Sequence, residues 1–192
     1  MLDTVLCNSA DSLVDVTDER VAYPKRWIAV LVQMNAEKKT SARLNALGIE
    51  NYVPVQREVR RWSDRKKLID RVVIPMVVFV KINSNDERQL KKYSFIYKIL
   101  TYPGQTKSAV IPDDQIERLK FMLSQSESPV EVTDKIMVPG DIVRVVRGPL
   151  KGLEGELYMI EGEKSCVVMR IECLGYACVH VSRNDVEKLS EN

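Results

Sequence analysis

The sequence predicts an α+β protein in two parts: a mixed sheet covered by helices, then a small all-β barrel. Three observations predict it. Apolar runs of strand length alternate with helical periodicity across residues 25–123. Residues 124–136 are polar and aperiodic, which is typical of a linker. Six of the eight glycines lie at or after Gly140, among the short alternating runs of a small barrel over 137–192.

Local signals predict the first strand and helix. The run WIAVLV at 27–32 is long enough for a buried strand and too short for a helix. Asn35 is the predicted N-cap of a helix over 36–47, and Gly48 supplies its C-terminal stop. The inward face of this helix is expected to hold Ala36, Thr40, Leu44 and Leu47.

A long hairpin with a charged tip is predicted next. Residues 51–59 predict a strand containing Pro54, residues 60–70 are polar and basic, and residues 72–82 predict a second, apolar strand. Ser84-x-x-Glu87 is the pattern of a capping box and predicts a short helix ending near Tyr93.

The remaining elements complete the two parts. A strand at 96–102 is followed by a helix capped by Asp113, whose predicted inward face is Ile116, Leu119, Met122 and Leu123. The order β-α-β-β-α-β-α predicts a sandwich of about 100 residues. Barrel strands are expected at 142–146, 154–160, 165–171 and 176–181.

The charge is unevenly distributed and points to a polyanionic or acidic partner. Residues 1–24 carry five acids and one base, and this acidic segment is expected to be a flexible extension. Residues 25–123 carry 20 bases and 10 acids, whereas residues 124–192 carry 8 bases and 12 acids. A basic centre between acidic ends favours a polyanion facing the first part of the chain.

Several classes of protein lack support in the residues. The longest apolar run, at 72–80, is far short of the roughly 20 residues of a membrane span, and the acidic start is not a secretory signal, so a cytoplasmic location is expected. A zinc site would use Cys173, Cys178 and His180, but their spacing is uncommon and the cysteines are expected to be structural. No catalytic constellation, cofactor motif or metal motif is visible, so we expect no enzyme.

Residues 140–157, GDIVRVVRGPLKGLEGEL, form the most specific motif. They predict a strand, a tight turn and a second strand, with Gly148, Gly152 and Gly155 at points of positive φ or close backbone approach. The stretch resembles a KOW motif, the strand-loop-strand element of SH3-like barrels in transcription and ribosomal proteins. The loop that this resemblance singles out is Arg147, Gly148, Pro149, Leu150, Lys151 and Gly152.

The first part resembles the N-terminal domain of NusG-family transcription elongation factors. The resemblance lies in Arg26-Trp27 opening a strand, Pro54 after a helix, the basic hairpin, and IPMVVFV at 74–80. With the KOW motif it covers about residues 26–189. It implies that an apolar groove docks on the clamp helices of RNA polymerase and suppresses pausing. The implied groove residues, which also fit the core of a sheet, are Leu31, Ile74, Pro75, Val77, Phe79 and Tyr102.

The hairpin is the candidate nucleic-acid surface, because an aromatic beside clustered bases suits single-stranded nucleic acid, although such charge runs are often only solvated. In the family this edge faces the non-template DNA strand. The candidate residues are Arg43, Arg60, Arg61, Trp62, Arg65, Lys66 and Lys67.

The resemblance also sets expectations for partners. It implies ribosomal protein S10 or termination factor Rho on the KOW domain of a monomer. Ile74, Met76 and Val77 replace the family's usual Phe, Gly and Tyr, which favours a specialised paralogue of the RfaH or UpxY type. The alternative is a ribosome- or RNA-binding KOW protein acting in translation.

Overall fold

The computed structural model describes residues 24–61, 66–133, 140–160 and 164–189. The predicted acidic extension, except Pro24, lies outside these residues. The first part of the chain contains β1 (Arg26–Leu31), α1 (Glu37–Ala46), β2 (Glu50–Tyr52), β3 (Val55–Arg61), β4 (Lys66–Val72), β5 (Val77–Ile82), α2 (Glu87–Leu90), β6 (Lys98–Ile99), β7 (Val110–Ile111) and α3 (Asp113–Gln125).

The second part follows with seven short elements. They are β8 (Glu131–Thr133), β9 (Asp141–Val145), β10 (Glu154–Ile160), β11 (Lys164–Ile171), β12 (Gly175–Val181), a 3-10 turn (Arg183–Asp185) and β13 (Val186–Lys188). Strands β9 to β12 correspond to the four predicted barrel strands, and β10 has the predicted bounds, whereas β8 and β13 were not predicted. The predicted fold class, α+β followed by an all-β region, is confirmed.

The main sheet has strand order β2-β5-β1-β6, with β7 also pairing to β1, and its described pairings are all antiparallel. Alternation along β1 and β5 gives the sheet two apolar faces. One face, including Ile28 and Val80, packs with Leu44 of α1 and Leu90 of α2. The other, including Phe79, belongs to the buried cluster of the α3 side chains. The inward face predicted for α3 is confirmed, since all four of its residues are buried.

Proline positions divide the predicted hairpin strands. The strand expected over 72–82 is wrong: β4 ends at Val72 and β5 begins at Val77, because Pro75 lacks an N–H and Met76 has φ +64°. Pro54 likewise separates β2 from β3. The hairpin itself is confirmed as a separate two-stranded ribbon of β3 and β4.

The helix starts also differ from the prediction. Asn35 has φ +61°, and Ala36 is the N-cap of α1 without a side-chain hydrogen bond. Glu87 opens α2, but its carboxylate pairs with Arg26 at 2.9 Å and accepts a hydrogen bond from Ser108 instead of closing a capping box. Leu47, expected on the inward face of α1, is exposed because the helix ends one residue earlier.

The segment predicted as a linker is ordered where it is described. Helix α3 continues to Gln125, and β8 pairs with β12 as an extra edge strand of the six-stranded sheet, in the order β13-β9-β10-β11-β12-β8. A single buried apolar cluster runs from the first part through α3 into the second part. Gln115 Oε1 accepts the Glu172 N–H at 2.9 Å across this contact. The predicted domain boundaries stay a prediction.

Candidate functional site

The predicted groove residues of β1 and β5 lie together. Leu31 is the register partner of Val77, and Ala29 is the partner of Phe79. Val77 and Phe79 are 3% and 0% exposed, and Ile74 is 6% exposed, so these three side chains belong to the core in this arrangement. Leu31 is half-buried at the edge of the same cluster. Together, the four predicted residues form one apolar strip.

The other two predicted groove residues have different surroundings. Pro75 is exposed in the turn that precedes β5. Tyr102 lines a separate cavity beside Arg26 and Glu87, and its hydroxyl donates to the Val110 carbonyl at 3.3 Å. Pro75 therefore adjoins the apolar strip because it neighbours Ile74 in the sequence. Tyr102 does not belong to the strip.

The turn before β5 is fixed to the start of α1. Glu37, although charged, is only 3% exposed, and its Oε1 accepts the Met76 N–H at 2.7 Å. The Met76 carbonyl accepts the Val32 N–H at 2.8 Å. Met76 has a left-handed φ of +64°, a conformation that glycine adopts more readily than methionine. These contacts hold Pro75 at the end of the apolar strip.

Two aromatic rings and a lysine of α3 lie beside the Phe79 end of the apolar strip. Lys120 Nζ is 5.4 Å from the ring centroids of both Trp27 and Tyr52, and Tyr52 stacks on Phe79. Burial, assisted by Glu117, raises the pKa of Tyr52 to about 12. The rings and the lysine stem thus cover the Phe79 end of the strip.

The hairpin carries its bases directly opposite one another. Backbone register pairs Arg60 with Lys67 and Arg61 with Lys66. Lys66 and Lys67 are exposed. Trp62 and Arg65, also predicted for this surface, lie outside the described residues. Like charges directly opposite each other are unfavourable in a two-stranded ribbon.

The hairpin also has features that the sequence did not single out. Val59 and Leu68 are cross-strand partners and are 61% and 60% exposed. They form an apolar pair that lies between the Arg60–Lys67 pair near the tip of the ribbon and the Val55–Val72 pair at its other end. Arg71 is engaged inside the protein, with an ion pair to Glu58 at 3.2 Å, and is not a free base. The sequence could have indicated this pair, because Val59 and Leu68 are apolar residues within largely polar strands.

A cavity of about 680 Å³ lies beside α1. Its wall includes Arg43 and the aromatic residues Phe95 and Tyr97. The Arg43 guanidinium is 5.3 Å from the Phe95 ring centroid, and Phe95 stacks on Tyr93 at 5.2 Å. Tyr97, on the cavity wall, is 85% exposed. Such a cation beside open rings can contact a base and a phosphate together. Sequence reasoning found Arg43 and missed the rings, although they lie between Lys92 and Lys98 in the sequence.

The cavity and the hairpin belong to neighbouring elements. Lys38 of α1 donates to the Asp70 carbonyl at 3.3 Å, and its ammonium lies 3.6 Å from the Asp70 carboxylate. Lys39, one residue further on α1, lines the cavity together with Arg43. Helix α1 therefore contacts the hairpin through Lys38 and lines the cavity through Lys39 and Arg43.

The KOW loop has the turn geometry predicted for its glycines. Gly148 and Gly152 have φ +79° and +94°, and the Gly152 N–H donates to the Val145 carbonyl at 2.8 Å. At Gly155 an added Cβ would lie 2.6 Å from the Val168 carbonyl oxygen. Leu150 is buried and anchors the loop. The exposed loop side chains are Arg147, Pro149 and Lys151.

Two of the three barrel cysteines, Cys166 and Cys178, have the buried or half-buried environment expected of structural residues, whereas Cys173 does not. Cys166 is buried, Cys178 is half-buried and Cys173 is exposed. Burial raises the pKa of Cys178 to about 11 and also raises the pKa of Cys166. No group of three or more metal-ligating side chains occurs among the described residues. Within the same residues, none of the helices combines the length and apolar character needed to span a bilayer.

Comparison with known proteins matches the first part of the chain to a family of transcription factors. Residues 25–120, half of the chain, match the model of the family described as "Transcription termination factor nusG". The chain therefore belongs to the NusG family.

Two individual proteins illustrate the similarity. The chain is 26% identical over 181 residues to the "Transcription termination/antitermination protein NusG" of Vibrio vulnificus (strain CMCP6), covering 88% of this chain and 98% of the relative. A solved structure titled "Domain interaction in Thermotoga maritima NusG" is 21% identical, with a TM-score of 0.45, and the match covers 86% of this chain and 98% of that one.

Proposed function

We propose that the protein is a transcription elongation and antitermination factor that binds RNA polymerase through its first part. The observation that carries this proposal is the family match over residues 25–120, the part that contains the apolar strip. The printed name of the Vibrio vulnificus relative, a termination/antitermination protein, supports the same role.

The proposed polymerase contact starts at the Pro75 turn and continues into the apolar strip. Pro75 and Leu31 offer surface in the present arrangement, whereas Val77 and Phe79 are buried. A helical partner laid on an apolar concavity is a common recognition mode. Full contact with the strip therefore requires that the neighbours of Val77 and Phe79 in the buried cluster move.

Binding to core RNA polymerase tests the polymerase contact. Pro75→Glu introduces a charge into an apolar contact without entering the core, and we expect at least about a tenfold loss of affinity. Pro103→Glu, at an exposed proline in another turn, is the matched control and should bind like the wild type. Circular dichroism checks the fold of both variants. Wild-type affinity and pausing activity in folded Pro75→Glu would show that the contact lies elsewhere.

A second proposed contact is with the non-template DNA strand. The exposed Lys66 and Lys67 of the hairpin support it, because lysines that neutralise phosphates release counterions and so favour binding. The rings beside Arg43 add a stacking surface, and α1 connects this surface to the hairpin. Both features suit an unpaired strand, whose phosphates and bases are accessible together.

The salt dependence of binding to elongation complexes tests the DNA contact. Replacing Lys66 and Lys67 by alanine should lower the slope of log K against log salt by roughly 0.7 per lost phosphate contact. Replacing the exposed barrel bases Arg183 and Lys188 by alanine is the charge-matched control. Equal slopes for both double variants would contradict the hairpin contact. Tyr97→Ala should weaken binding by about 1–3 kcal/mol if a base stacks there.

The proposed role of the barrel is recruitment of ribosomal protein S10 or Rho through the KOW loop. The loop offers two exposed bases, Arg147 and Lys151, around Pro149. Lys151→Glu should weaken binding of either partner, measured by calorimetry, and Arg183→Glu, at an exposed barrel base outside the loop, is its control. Binding to ribosomes or RNA, without binding to polymerase, would instead favour the translation role.

The specialised-paralogue assignment is part of the proposal. Met76 holds a left-handed turn where the family commonly has glycine, and its side chain lines the cavity beside α1. A bulkier residue at this position changes the surface next to both proposed contacts. Transcription assays on different leader sequences would separate a specialised factor from a general one.

A further inference from the structure

Residues 126–130 are held by the base of the basic hairpin. Gln56 is 3% exposed, and its Nε2 donates to the Ser128 carbonyl at 2.8 Å and to the Ser126 carbonyl at 3.4 Å. Its Oε1 accepts the Val130 N–H at 2.9 Å. Gln56 thus bonds three backbone groups, two carbonyls and one N–H, at alternate residues of the connecting segment.

Arg71 strengthens the same attachment from the opposite strand. It is the register partner of Gln56, and its Nη2 donates to the Val130 carbonyl at 2.9 Å and to Gln56 Oε1 at 3.3 Å. Both backbone groups of Val130 are therefore bonded to hairpin side chains. The Val130 side chain is fully buried in the cluster that runs through both parts of the chain.

The next three residues are held by the barrel. Glu131, Val132 and Thr133 pair with Cys178, Ala177 and Tyr176 of β12. A three-residue edge strand has little stability of its own, so its pairing depends on what fixes its ends. Because Glu131 follows Val130 directly, there is no slack between the hairpin attachment and the barrel attachment.

We propose that residues 126–133 form a clip that couples the base of the hairpin to the β12 edge of the barrel. Loss of the Gln56 and Arg71 bonds frees β8 from β12, and removal of β8 from β12 loosens Val130. In this proposal, the hairpin and the barrel can move independently only after the bonds of residues 126–133 to the hairpin or to β12 have broken. The proposal concerns the chain's own contacts and does not depend on which partners bind it.

Hydrogen exchange followed by mass spectrometry on the full chain tests the coupling. Gln56→Leu keeps a side chain of similar size in the buried site and removes its hydrogen bonds to Ser126, Ser128 and Val130. We expect exchange in peptides covering 131–133 and 176–178 to accelerate by about tenfold. Gln89→Leu, the same change at an exposed site in α2, should leave both peptides unchanged.

The pattern of exchange distinguishes coupling from general destabilisation. Acceleration confined to 126–130, with 131–133 and 176–178 unchanged, overturns the proposal. If Gln56→Leu also accelerates exchange of the central strand β5, Arg71→Met decides, because it removes the Arg71 bonds to the Val130 carbonyl, Gln56 and Glu58 but leaves the Gln56 bonds to 126–130 in place. Unchanged exchange at 176–178 in Arg71→Met then overturns the proposal, and selective acceleration there supports it.

Discussion

Gly155 in the KOW motif is expected to be intolerant of any side chain. An alanine Cβ would lie 2.6 Å from the Val168 carbonyl oxygen and 2.7 Å from Val167 Cγ1. The carbonyl is fixed in the β10–β11 ladder, so the strands must shift by several tenths of an ångström. Overpacking of this kind costs about 1–3 kcal/mol. With a urea m-value of roughly 2 kcal/mol per molar, Gly155→Ala should lower the unfolding midpoint by about 1 M.

Gly104→Ala provides the control for this prediction. Gly104 has φ +72° but nothing within 4 Å of an added Cβ, so alanine there meets only the backbone penalty of about 1 kcal/mol. Urea unfolding followed by circular dichroism compares the two variants. A Gly155→Ala midpoint equal to or above that of Gly104→Ala would refute the steric argument and mean that β10 and β11 separate easily.

Three further predictions concern single residues. Phe79→Ala should lower the free energy of unfolding by about 3–5 kcal/mol in urea titrations, whereas Tyr97→Ala should stay within about 0.5 kcal/mol; similar values would contradict the observed burial. Met76→Ile should be less stable than Met76→Gly by at least about 1–2 kcal/mol in thermal melts, because a β-branched residue does not suit φ +64°, and the opposite order would argue against this backbone. Because burial disfavours the thiolate and raises the pKa of Cys178 to about 11, its alkylation, followed by peptide mass spectrometry, should accelerate about tenfold per pH unit up to that pH, and a plateau near pH 9 would contradict this.

The sequence predicted elements that depend on local patterns. Strand β10 has its predicted bounds because alternation and flanking glycines are local signals. The inward face of α3 follows from helical periodicity. Short strands such as β7 and β8 were not predictable, because two or three residues carry no periodicity and form a strand only through a distant partner.

The candidate site was predictable to a similar degree. The apolar runs placed Leu31 and Val77 in strands, and the family resemblance placed those strands side by side, whereas their exact register came only from the structure. Their burial did not, since an apolar strand looks the same under a helix as in an open groove. Likewise, the contact between Arg43 and Phe95 joins residues far apart in the sequence, and residue type alone does not reveal it.

The position of β8 has a practical consequence for dividing this protein into fragments. A fragment that ends at Gln125 removes the three backbone groups at 126–130 that bond Gln56 and the Val130 carbonyl that bonds Arg71. A fragment that begins after Thr133 instead exposes the β12 edge, with unpaired backbone groups open to association between copies. Neither cut yields two complete pieces. Residues 126–133 should therefore be retained in both fragments whenever the two parts are studied apart.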